Sequence, residues 1–153
     1  MGSAGLTTAA IIRYSENLED DSSAFYETLA ERWPAHKEAF LAFARDGKKN
    51  KTQVVRTYQE TISDAYEASY SFEGLSLRDY EFDTSLRQET SLMEGLESAL
   101  ALEEQACAFY LDVAERSKAL LATIPRAFTR VAKKRSQRKS SLEALLQETK
   151  AGS

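Results

Sequence analysis

Two stretches of this chain read as copies of one another. Leu18 to Arg32 aligns without gaps to Leu102 to Arg116, and eight of the fifteen positions are identical. The shared positions include Glu19 and Glu103, Phe25-Tyr26 and Phe109-Tyr110, and a closing Ala-Glu-Arg. Downstream, Phe40-x-x-x-Ala44 matches Phe128-x-x-x-Ala132 after a slightly longer turn. A repeat of this kind is a supersecondary unit that buries its apolar face against its copy. Two such units in 153 residues predict one all-α domain, an antiparallel four-helix bundle made of two helical hairpins.

The helix signals place the parts. Helix 1 is predicted from about Thr7 to Arg32, with Thr7 or Thr8 as the cap whose hydroxyl accepts from a free N–H of the first turn. Trp33-Pro34 ends it, because the residue before proline disfavours α geometry. Pro34 then suits the first position of helix 2. That helix carries Phe40, Phe43, Ala44, Gly47, Val54, Val55, Tyr58 and Ile62 at helical spacing and is read as running to about Tyr70. Hairpin 1 thus covers about 7–70.

Residues 71–84 lose the periodicity and form a crossover. Its apolar load, Phe72, Leu75, Leu77, Tyr80 and Phe82, predicts packing over the bundle, with self-association as the alternative. Hairpin 2 covers about 85–149. Asp83, Thr84 or Ser85 is expected to cap helix 3, with Gln88 completing a capping box with Ser85. Leu86, Met93, Leu96, Leu100, Glu103, Cys107, Tyr110 and Ala114 form its seam. After a turn near Leu120 to Thr123, helix 4 starts at Pro125. Its core positions are Ile124, Phe128, Val131, Ala132, Leu142, Leu145 and Leu146. No strand pattern competes. Short, long and short connections give a ferritin-like topology with one crossover.

At these residues the chain resembles the rubrerythrin-like branch of the ferritin-like superfamily, over nearly its whole length. The specific part is Glu-x5-Phe-Tyr-x3-Ala-Glu once per hairpin, followed by Phe-x3-Ala one helix later. The resemblance implies that Glu19 and Glu103 stand where relatives keep metal-ligating glutamates. It also implies a Glu-x-x-His pair on the second helix of each hairpin, three residues after the matched Ala. This chain departs from the pattern in both halves. Gly47 and Asn50 stand at those positions in the first, and Arg135 and Arg138 in the second. Four of the six ligands are replaced.

A carboxylate left buried without its metal costs several kcal/mol. A guanidinium stays charged and binds a carboxylate through two parallel hydrogen bonds. An ion-pair network of Glu19, Glu103, Arg135 and Arg138, which Glu16 can join from one turn away, is therefore expected in place of the metals. The alternative is that both arginines lie on a solvated face. Tyr26 and Tyr110 match relatives' tyrosines beside the metals; here they are expected to pack, each hydroxyl bonded to a buried polar group. Asp20 and Glu104 sit one residue past the seam and should face outward.

Other sites are weaker. The only histidine, His36, is a helix-start residue without ligand partners. Cys107, the only cysteine, falls on the seam as a structural thiol. Arg126, Arg130, Lys133, Lys134, Arg135, Arg138 and Lys139, with Lys48, Lys49 and Lys51, could form a phosphate-binding stripe. A solvated face balanced by acidic helices is the preferred reading, since net charge is −4 and no aromatics interleave the cations. Nucleic acid is therefore not the expected partner. No apolar run approaches a membrane span, no signal peptide is visible at the start, and one cysteine suits a reducing compartment; the expectation is cytoplasmic.

The functional expectation is a non-catalytic ferritin-like protein that has lost its di-iron site and acts as a scaffold or binding partner, without a cofactor and as a homodimer by default. Two alternatives stand. One is an iron-binding oxidoreductase, of peroxidase or ferroxidase type, holding metal through Glu19 and Glu103. The other is an anion or nucleic-acid binding module that uses helix 4.

Overall fold

Thr7 opens the first helix from an extended backbone, and its hydroxyl accepts from the Ala10 N–H at 3.2 Å. The computed structural model describes residues 6–61, 71–72, 75–117 and 123–152. Among the described residues, four α-helices form two hairpins: α1 (Thr8–Arg32) with α2 (Lys37–Thr61), and α3 (Leu92–Arg116) with α4 (Thr123–Ala151). The fold is an all-α four-helix bundle whose hairpins are joined by the long crossover. Trp33, at φ −127° and ψ 76°, leaves α geometry ahead of Pro34, as sterics require. Pro34 does not open α2 directly. A short 3-10 turn, Pro34–His36, intervenes, and His36 sets its ring edge-on to Phe40.

Three expectations are corrected. Helix α3 begins at Leu92, not near residue 85. Ser91 and Glu94 build the capping box: the Ser91 hydroxyl accepts from the Glu94 N–H and the Glu94 carboxylate accepts from the Ser91 N–H. Asp83 is spent on a local turn, its carboxylate accepting from both the N–H and the hydroxyl of Ser85. The interior seam of α3 is also rotated. Leu102, Ala106 and Phe109 are buried where Leu100 and Cys107 are only half-buried. Finally, a two-residue strand pair exists: β1 (Leu6–Thr7) runs antiparallel to β2 (Ser71–Phe72) and ties the crossover to the chain start. The expected end of helix 2 near Tyr70, with Ile62, and most of the turn at 120–123 lie outside the described residues.

The crossover packs on the bundle. Phe72, Leu75 and Tyr80 are buried, and Leu77 and Phe82 lie against the core. Tyr80 donates to Asp112 on α3 at 2.5 Å, and its carbonyl accepts from Tyr14 on α1 at 3.1 Å. Burial and the Asp112 bond push the Tyr80 phenol above its ordinary range.

The core consists of two apolar clusters with a polar layer between them. One cluster includes Ile11, Val54, Phe109, Phe128 and Val131; the other includes Phe25, Leu29, Phe40, Leu96 and Leu142. Every helix changes cluster at the same level: between Leu18 and Phe25 on α1, Ala44 and Val54 on α2, Leu102 and Ala106 on α3, Ala132 and Leu142 on α4. Glu19, Asn50, Glu103, Arg135 and Arg138 fall in those intervals and are buried. Among the described residues, no helix is long and apolar enough to cross a membrane.

Candidate functional site

The polar layer has one arginine at its centre. Arg135, fully buried, spans both glutamates. Its Nη2 and Nε donate to Oε1 and Oε2 of Glu19 at 2.8 and 3.2 Å. Its Nη1 donates to Oε1 and Oε2 of Glu103 at 2.8 and 2.9 Å. Nη2 also donates to Ser22 Oγ at 3.2 Å. The planar fork lets one side chain present fixed donors along two edges to carboxylates from different helices, a geometry that the three donors on a single ammonium nitrogen do not reproduce.

The remaining contacts follow the repeat. Tyr26, seven residues after Glu19, donates to Glu103 at 2.6 Å; Tyr110, seven after Glu103, donates to Glu19 at 2.5 Å. Each hairpin's tyrosine thus braces the other hairpin's glutamate. Asn50 Nδ2 donates to Glu19 and Arg138 Nη1 to Glu103, both at 3.4 Å. Ser23 and Cys107, matched in the alignment, donate to the matched carbonyls of Ala44 and Ala132 at 2.9 and 3.7 Å. Outside, Lys51 pairs with Asp20 and Lys139 with Glu104, so these two carboxylates do face outward. The contacts pair α1 with α3 and α2 with α4 across a pseudo-two-fold axis.

The symmetry breaks on the second helix of each hairpin, where Asn50 matches Arg138 and, more consequentially, Gly47 matches Arg135. A Cβ built on Gly47 would lie 2.3 Å from Ser23 Oγ. Glycine lets α1 and α2 approach closely enough for the Ser23–Ala44 bond, so a larger residue cannot enter without displacing that hydroxyl.

Charge balances inside the layer: two carboxylates face two guanidinium groups. Burial opposes the charge on Arg135, but the fields of Glu103 and Glu19 outweigh it and raise its pKa well above the usual value. Burial, then the Glu103 charge, raises the Tyr26 phenol; burial, then Glu19, raises Tyr110. Both phenols are held as neutral donors. Arg138 lies over the rings of Tyr26 and Phe43, 5.4 and 5.2 Å from their centroids, a cation–π arrangement that offsets part of its desolvation. Among the described residues, two buried polar atoms have no hydrogen-bond partner, Asn50 Oδ1 and Arg138 Nε. They belong to the matched pair of positions 50 and 138.

Among the expected site residues, Glu19, Glu103, Arg135, Arg138, Asn50, Tyr26 and Tyr110 come together. Glu16 does not: it is half-buried and acts on Lys51, beside Asp20, rather than on the interior. Ser22 as an acceptor and Phe43 as the platform for Arg138 had no distinct sequence signal. Cys107 is half-buried, not on the inner seam, and burial and Glu103 push its thiol up, away from nucleophilic use.

A di-metal centre does not fit these residues. Every oxygen of Glu19 and Glu103 already accepts from a cation, a tyrosine or both, and a guanidinium fills the space between them. Among the described residues, no three His, Cys, Asp or Glu side chains gather as a ligand set. Compared with protein-family models, curated proteins and solved structures, the chain matches none.

Proposed function

We propose that this chain is a ferritin-like bundle of the rubrerythrin-like type that has exchanged its di-metal centre for an arginine–glutamate network, and that it works as a non-catalytic scaffold or binding partner. One observation carries the reading: Arg135 sits at a position matched to a ligand glutamate and bonds both remaining glutamates at once. A cation there does for the two carboxylates part of what a metal would do: it offsets their charge, with Arg138 supplying the second positive charge, and ties α1, α3 and α4 together. It supplies no open coordination position and no redox couple. The unpaired polar atoms at positions 50 and 138, where relatives keep imidazoles, suit a layer adapted from another use.

Two measurements test the reading. The full chain, produced with excess iron and manganese, should carry far less than one metal ion per chain, and its unfolding should be insensitive to chelator. Stoichiometric metal that Glu19→Gln and Glu103→Gln both remove would establish the oxidoreductase reading instead. The converse experiment restores the ligands: Gly47→Glu, Asn50→His, Arg135→Glu and Arg138→His, with Ser23→Ala to free the space at residue 47. That variant should bind cobalt with a ligand-field absorption band, and the wild type should not. A folded variant that binds none would count against descent from a di-metal site.

A further inference from the structure

The basic run of α4 divides once folded. Arg135 and Arg138 turn inward, and Lys139 pairs with Glu104, on the side of a crevice between α3 and α4 that Lys133 also lines. Arg126, Arg130 and Lys134 point into a different groove, shared with α2. There they face Lys48, Lys49 and Arg56, with Thr52, Gln53 and Thr57 between them. The groove has a volume of about 680 Å³, within the range of small-ligand sites. Six of the chain's 20 basic residues line it, and among the described residues no carboxylate does.

The arrangement is costly unless something anionic completes it. Like charges on facing helix walls repel, and this chain has acid to spare: 24 acidic side chains against 20 basic. Elsewhere it uses them, as in Lys51–Asp20 and Lys139–Glu104. In the groove only Lys48 has an ion pair among the described residues, a long 3.9 Å contact to exposed Glu27 at the rim.

We propose that the groove between α2 and α4 binds a short linear polyphosphate through its phosphate oxygens. Arg126, Arg130 and Lys134 recur every four residues, one above another, so the cationic row is about 12 Å long. Lys49, Thr52, Gln53 and Arg56 recur at the same helical spacing on the facing wall. Two parallel rows of donors suit several phosphates in line better than one. Arginine forks and lysine ammonium groups take the charge, and hydroxyl and amide donors take remaining oxygens.

The groove favours a free polyphosphate over a nucleic acid. Among the described residues that line it there is no aromatic platform for a base. Beside Lys48 its rim carries the acidic Glu27, where a longer polyanion leaving the groove would be repelled.

The test is calorimetric titration of the full chain with sodium tripolyphosphate, with orthophosphate and a single-stranded oligonucleotide in parallel. Tripolyphosphate should bind saturably, far more tightly than orthophosphate, and more weakly as salt rises. Exposed Arg130→Glu and Lys49→Glu should each weaken binding by about tenfold or more, a loss of at least about 1.4 kcal/mol. Lys133→Glu makes the same charge change on the α3 side of α4 and should alter affinity less than about twofold. Circular dichroism verifies that each variant is folded. Equal losses in all three variants would reduce the effect to net charge and overturn the site. Absence of saturable tripolyphosphate binding at low salt would do the same. Tighter binding of the oligonucleotide, lost in the same two variants, would assign the groove to a nucleic-acid backbone instead.

Discussion

Replacing Arg135 by methionine isolates what the central cation does. Methionine keeps the aliphatic stem of the side chain, while two buried carboxylates lose their shared partner. Glu103 retains Arg138 and Tyr26, but Glu19 retains only Tyr110 and a 3.4 Å contact from Asn50. Breaking a buried ion pair from one side costs about 3–5 kcal/mol. Against a total stability of about 5–15 kcal/mol for a domain, that is a large fraction. For a chain of this size it corresponds to a fall in melting temperature of about 6–20 °C. The sharper outcome concerns the double variant. Arg135→Met leaves two carboxylates against one guanidinium, and Glu19→Gln leaves two guanidinium groups against one carboxylate. Glu19→Gln with Arg135→Met leaves Glu103 with Arg138, a neutral pair already in contact. The double variant should therefore be more stable than Arg135→Met alone, with a favourable coupling of about 2 kcal/mol or more in a double-mutant cycle. Urea unfolding followed by circular dichroism measures all four corners. A loss under about 1 kcal/mol for Arg135→Met, or simple additivity in the double, would refute a charge-balanced layer.

Two further predictions concern the tyrosines. Tyr26→Phe and Tyr110→Phe each remove a hydroxyl donor to a buried carboxylate and should each cost about 1.5–3 kcal/mol by equilibrium unfolding; markedly unequal costs would contradict the cross-braced geometry. Raising the pH above about 10, the ordinary phenol value, should destabilise the fold: Tyr14 is pushed up to about 12 by burial and by Glu81 and Asp21, and Tyr26, Tyr80 and Tyr110 are also raised. The folded state then holds protons the unfolded state has released, so stability present below pH 10 is lost as pH rises toward the folded values. Tyrosinate absorbance should grow in step with unfolding at these sites; full ionisation in a folded protein would show that the phenols are not held as described.

The repeat made most of the fold legible, because two hairpins in one chain leave few ways to bury both apolar faces. The elements that were misplaced are those where local chemistry is degenerate. Asp83 and Ser85 look like a helix cap and bond each other in a turn instead, while Ser91-x-x-Glu94 carries the same signature six residues on. The rotated seam of α3 has a similar origin: Leu100 and Leu102, or Cys107 and Ala106, are interchangeable on a periodicity count, and only the packing of the second hairpin chooses between them. In the site, Arg135 and Arg138 were legible because they reverse charge at matched positions. Lys48 and Lys49 could be grouped with the cations of α4 as a stripe, but Arg56 could not, since a groove between helices distant in sequence leaves little pattern in either alone.

The asymmetry between positions 47 and 135 explains why the network can exist at all. The repeat provides two equivalent positions for a charge-neutralising residue, 47 and 135, and the chain fills one. A second arginine at 47 would put three guanidinium groups against two carboxylates, and its Cβ would already strike Ser23 Oγ. One guanidinium suffices because its fork has two edges, and the pseudo-two-fold relation sets Glu19 on one and Glu103 on the other. Asn50, the neutral counterpart of Arg138, then keeps the layer at two positive and two negative charges. Glycine at 47 and arginine at 135 thus depend on one another. Adding Gly47→Arg to the folded protein should destabilise it even though the new cation would face Glu19.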